Sequence, residues 1–141
     1  MNKFISPLII ILGMSFLTQA SRNGPSLQGV WKAVAYKIGD THYPLQGLII
    51  FTEKYFSSNV IFKLTKGAID DANCNAGLYK ADGKKIVFNQ WIQIHLRPGQ
   101  EQEPIFLNKD TIEEAAYKLE GNSLLITFPS NNQFTLEKIK E

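Results

Sequence analysis

The sequence predicts an all-β domain, an antiparallel up-and-down barrel of about eight strands. Three observations carry that expectation. Apolar residues recur at every second position within short runs, the period of a half-buried strand. Turn dipeptides separate the runs, at Gly39-Asp40, Asp82-Gly83, Gly121-Asn122 and Asn131-Asn132, with the spacing of a sandwich or barrel. Helical candidates are few. Closure of the sheet follows because a rolled sheet has no exposed edge to protect.

The elements follow in chain order. Residues 1–20 read as an export leader, with Lys3 ahead of an apolar run over 4–17 and a cleavage point after Ala20. That run falls short of the roughly 20 apolar residues of a spanning helix, and no Cys at the cleavage point supports a lipid anchor. The expected address is periplasmic or secreted, with no transmembrane segment once the leader is removed. Residues 21–26 form a short linker, and 27–141 the barrel domain. Strand-like runs cover 28–37, 47–53 and 55–64, and a polar loop over 66–73 leads into 74–80. Asp82-Gly83 is the strongest hairpin signal and introduces a long run over 84–96. "RPGQEQEP" (97–104) is loop, with two prolines and a glycine. The last runs are 111–119, 123–128 and 133–139. In "KDTIEEAAYKLEG", Ile112, Ala115, Ala116 and Leu119 also fit a helical period. The tight hairpin legible in "YKLEGNSL" favours strand.

Alternation assigns the faces. Trp31, Ala33 and Ala35 share one side of the first strand, and Phe56, Ser58, Val60, Phe62 and Leu64 one side of the third. Ile86, Phe88, Gln90, Ile92, Ile94 and Leu96 share the apolar side of the long run, with Val87, Asn89, Trp91, Gln93 and His95 opposite. Leu124, Ile126 and Phe128 face inward, followed by Phe134, Leu136 and Lys138.

Charge and composition exclude several classes of function. A formal net charge of +2 with scattered lysines offers no basic stripe for nucleic acid. The one cysteine, Cys74, cannot close an internal disulfide and reads as a small buried hydrophobe. His42, in the turn "GDTHYP", and His95, beside the loop, have no second ligand at a metal-like spacing. Glu113 and Glu114 are adjacent in a strand, so they point to opposite faces and make a poor acid/base couple. No nucleophile elbow or phosphate-binding glycine loop is present. The expectation is a protein without catalytic residues, metal or cofactor.

The first run opens with "GVWKAVAY". This Gly29-x-Trp31 resembles the lipocalin signature, in which the tryptophan plugs one end of the barrel and a basic side chain from the last strand lies over it. "FTLEKI" places Lys138 there, where lipocalins usually carry arginine. "PLQGLIIFTEKYF", "NAGLYKADGKKIVF" and "YKLEGNSLLITF" extend the resemblance to small bacterial lipocalin-like domains over most of 27–139. The disulfides and C-terminal helix of larger lipocalins are missing. A second resemblance, of "NCNAGLYKADGKKI" to the META domain, leaves open an envelope interaction or structural module, with Trp91 and Val87 on its outer face.

The inward faces suggest binding of a small, largely apolar molecule in the lumen. Ala33 and Ala35 above a bulky plug leave volume for it. Phe56 and Phe62 supply apolar wall, and Ser58, Gln90, Tyr79 and Tyr117 the few polar groups of a small-ligand site. A buried Gln90 needs a partner, in the protein, in water or in a ligand. The oligomeric state is not legible.

Overall fold

A computed structural model describes residues 26–62, 71–96 and 111–140. The expected leader, most of the linker, Leu64 and the loop over 97–104 lie outside the described residues. Eight strands follow in chain order: β1 (Gly29–Ile38), β2 (Thr41–Phe51), β3 (Tyr55–Phe62), β4 (Asp71–Ala81), β5 (Lys85–Leu96), β6 (Thr111–Glu120), β7 (Ser123–Thr127) and β8 (Gln133–Lys138). Each pairs antiparallel with its chain neighbour, and β8 returns to β1 to close the barrel. The expected fold class is the observed one.

Local chemistry sets the turns. At the Asp82-Gly83 hairpin, Asp82 Oδ1 accepts the backbone N–H groups of Lys84 (2.9 Å) and Lys85 (2.7 Å). Those two bonds hold the Asp82 carboxyl below its usual range. The ambiguous 111–119 segment is strand. It pairs with β5 on one side and β7 on the other, and buries Ala115 and Tyr117 while Glu114, Ala116 and Lys118 stay exposed. Helical propensity yields to two flanking ladders.

Two strands start earlier than the sequence suggests. β2 begins at Thr41, so His42 is not a loop residue but an exposed strand residue opposite Lys37. Pro44 is tolerated in this strand because it sits where the β1–β2 register slips, between Lys32↔Leu48 and Ala35↔Pro44. β4 begins at Asp71 and takes Ala72 and Asn73 out of the expected loop.

Trp31 fills one end of the barrel. Its side chain is fully buried, packed in a core that includes Ala33, Phe51, Ile86, Leu124, Ile126 and Leu136. The indole N–H donates to the Leu27 carbonyl at 2.8 Å, and Leu27 is itself buried beneath it. Lys138 Nζ lies 5.5 Å from the ring centre, a cation–π contact. Gly29 admits that lysine: its φ is 131°, and a Cβ there would stand 2.8 Å from Lys138 Cε. The glycine thus serves backbone conformation and the passage of one side chain together.

Bulges shift the faces in two strands. Against β8, the pairs of β1 run Ala33↔Leu136 and then Ala35↔Thr135, so β1 carries one extra residue. Against β4, the pairs run Ala76↔Ile92 and then Gly77↔Gln90, so Trp91 is extra in β5. Each extra residue inverts the alternation beyond it. Tyr36 consequently reaches the lumen in place of Ala35. Gln93 and His95 turn inward and Ile92 outward, contrary to the faces read from the sequence.

Candidate functional site

The lumen divides at a collar of four polar side chains. Ser58 comes from β3, Asn75 from β4, Gln90 from β5 and Glu113 from β6, and all four line both the cavity above and the pocket below. Register explains their convergence. Ser58 pairs with Asn75 and Asn75 with Gln93; Phe88, which faces the core, pairs with Glu113. Paired residues share a face. Across the β4–β5 bulge Gly77 stands opposite Gln90, and a Cβ at Gly77 would lie 2.0 Å from the Asn89 carbonyl oxygen. Glycine is what lets the two strands approach so closely there.

Below the collar, toward Trp31, lies a pocket of about 90 Å³ walled by Ile49, Phe51, Phe56, Phe88 and Ile126. Phe56 and Phe88 meet edge to face with centroids 4.9 Å apart. Above the collar, at the end of the barrel away from Trp31, the cavity widens to about 380 Å³. There Asn73, Gln93, His95 and Tyr36 join the wall. Tyr36 packs edge-on against Phe62 (5.4 Å) and Phe134 (5.5 Å), and its hydroxyl accepts a bond from Asn132 Nδ2 at 3.1 Å.

Glu113 is the acidic residue among the described residues lining this lumen. Gln90 Nε2 donates to its Oε2 at 3.1 Å, and burial pushes its carboxyl above the usual range. Its neighbour Glu114 points outward and pairs with Lys85 on the surface. The opposite-face reading of this pair holds. On β4, separated from β6 by β5, Asn73 Oδ1 and Asn75 Oδ1 are buried with no hydrogen-bond partner among the described residues.

The structure unites some of the expected site residues and separates others. Ser58 and Gln90 both line the collar, Phe56 forms floor beneath it, and Phe62 lines the upper wall. Ala33 is buried in the core, and Ala35 is half-buried, with Tyr36 in the lumen instead. Tyr79 and Tyr117 lie at the Trp31 end, beside a surface groove of about 640 Å³ bounded by exposed Glu53, Lys54 and Lys80. Tyr79 Oη donates to the Thr52 carbonyl at 2.7 Å, and its ring packs on Phe51 at 4.9 Å. Burial and nearby Tyr117 raise its pKa. These phenols hold that end together and do not face the collar. The expected list omits Glu113, Asn73, Asn75, Tyr36, Gln93 and His95. Phase alone places Glu113 with Ala115 and Tyr117; nothing local marks the bulges that turn Tyr36, Gln93 and His95 inward.

No protein-family model matches this chain, and no curated protein matches it. The site is therefore read from its own chemistry. Among the described residues, no group of three His, Cys, Asp or Glu side chains could hold a metal ion. What the lumen offers is an apolar, aromatic floor, a ring of hydrogen-bonding groups above it, and a carboxylate in that ring. A barrel with such a cavity is compatible with ligand binding.

Proposed function

We propose that this protein binds a small molecule in its barrel lumen without transforming it. The observation that carries the reading is the stepped cavity: about 380 Å³ above the collar and about 90 Å³ below it. The upper volume alone falls within the range typical of small-ligand sites. The arrangement of Gly29, Trp31 and Lys138 supports it further, through the resemblance to small bacterial lipocalin-like domains. An exported protein, working in the periplasm or outside the cell, fits the leader over residues 1–20. The non-catalytic part of the reading rests on Glu113, whose described hydrogen bond goes to Gln90 and not to a nucleophile. The sequence alone suggests a largely apolar ligand. The collar favours an amphipathic one, with its apolar part on the Phe56 and Phe88 side and a polar group at the collar.

Native mass spectrometry of the protein purified from its own host, with and without organic extraction, tests this reading. A small mass that departs on extraction is the expected result. A bare protein that also takes up no probe from a panel of small amphiphiles would overturn it. A second reading, an envelope interaction module, draws on the outer wall, where Trp91 meets Tyr55 edge to face at 5.8 Å and Ile92 and Ile112 are exposed.

A further inference from the structure

The stepped lumen is chemically lopsided. Among the described residues lining its two cavities, Glu113 is the acidic one, and none is lysine or arginine. An ionised carboxylate accepts hydrogen bonds and donates none. Asn73 Oδ1 and Asn75 Oδ1, on β4 nearby, are buried with no hydrogen-bond partner among the described residues. Among the described residues, the Gln90 amide donates to Glu113 directly. Glu113 therefore brings a negative charge to the collar, with no lysine or arginine beside it among the described lining residues.

Resting on the lumen-binding reading above, we propose that the ligand is a small organic cation, an amine or a guanidine, seated with its charged group at Glu113. An ammonium brings three N–H donors, one for a Glu113 oxygen and the others for water and the polar side chains that line the collar. The rest of the wall suits a cation equally well. Phe56, Phe88, Phe128 and Phe134 line the pocket at and below the collar, and Tyr36 and Phe62 stand above it. Aromatic faces attract a desolvated cation. An anion would meet a like charge in a partly desolvated site, at a cost of several kcal/mol. A neutral ligand would leave the carboxylate as costly to bury as before. The raised pKa of Glu113, caused by burial, agrees with this placement. The deep pocket of about 90 Å³ takes a short alkyl segment, so the ligand is a compact amphiphile with its charge near its middle or at one end.

The test uses three probes that share one alkyl chain: n-hexylammonium, n-hexanol and n-hexanoate. Each is titrated at pH 8 into the intact protein and into Glu113→Gln, and binding is read from backbone amide shifts at Ser58, Asn75 and Gln90. The amine is expected to bind the wild type about tenfold more tightly than the alcohol, the gain of a charge-assisted hydrogen bond, with hexanoate the weakest. In Glu113→Gln the amine and alcohol should converge to within about threefold, since a neutral amide retains the bond but not the charge. The wild-type series decides the matter even if the variant folds poorly. Alcohol binding as tightly as amine, or hexanoate binding best, overturns the cation assignment and leaves lumen binding standing. Failure of all three probes to shift the collar amides overturns both readings.

Discussion

Truncating the plug, Trp31→Ala, probes the geometry on which the lumen depends. The indole is fully buried and surrounded by core side chains, so its removal costs transfer free energy and leaves a void. Large-to-small changes at buried aromatics cost about 3–5 kcal/mol. Two further losses push this site to the upper end of that range. The Leu27 carbonyl, 2.8 Å from the indole nitrogen, loses a bond with a net value of about 1 kcal/mol. Lys138, 5.5 Å from the ring, loses a contact with a value of about 0.5–2 kcal/mol. A domain of this size has roughly 5–15 kcal/mol of total stability, and its melting temperature should fall by roughly 10–25 °C. Circular dichroism on heating measures the shift, and urea unfolding followed by the fluorescence of Trp91 measures the free energy independently. Trp31→Phe should recover most of the loss, because it restores ring volume but not the bond to Leu27. A Trp31→Ala melting temperature within about 2 °C of wild type would refute the argument that the indole corks the barrel.

Two other outcomes follow from the collar. Glu113→Gln should stabilise the protein at pH 8. Burial raises the Glu113 pKa above 4.5 in the folded state, so the ionised group opposes folding at high pH. That opposition fades as pH falls through the raised value toward 4.5. The variant's advantage in urea midpoint should shrink over the same interval, and an advantage independent of pH would show that Glu113 is not desolvated. Gly77→Ala would put a Cβ 2.0 Å from the Asn89 carbonyl oxygen, and backbone must move. The expected cost is about 1–3 kcal/mol or more, with amide shifts concentrated over Gln90, Gln93 and His95, and unfolding at the wild-type urea midpoint would contradict the close strand approach.

The floor of this barrel is legible in its sequence and the polar upper half is not, for a physical reason. Below the collar every strand keeps a strict period of two. Trp31 and Ala33, Phe56 and Ser58, Ile86 and Phe88, and Leu124 and Ile126 fall inward as alternation dictates. The turns announce themselves through Asp82-Gly83 and Gly121-Asn122, because only a few residue types accept those backbone conformations. A bulge sends no comparable signal, since one inserted residue can be almost anything, here Trp91. Its effect is nonetheless non-local: everything past it changes face. The β5 bulge thus exchanges the expected Ile92 for Gln93 and His95, and the β1 bulge exchanges Ala35 for Tyr36. Glu113 is a different case. Its phase with Ala115 and Tyr117 is visible in the sequence, yet carboxylates are so seldom buried that composition argues against the position phase assigns. Both kinds of departure fall in the lumen above the packed core. Local rules fail most there, which is the pattern expected where a fold gives up packing to keep a cavity polar. The carboxylate that opposes folding at high pH is the clearest cost of that polarity, and a guest that donates to it would offset the cost.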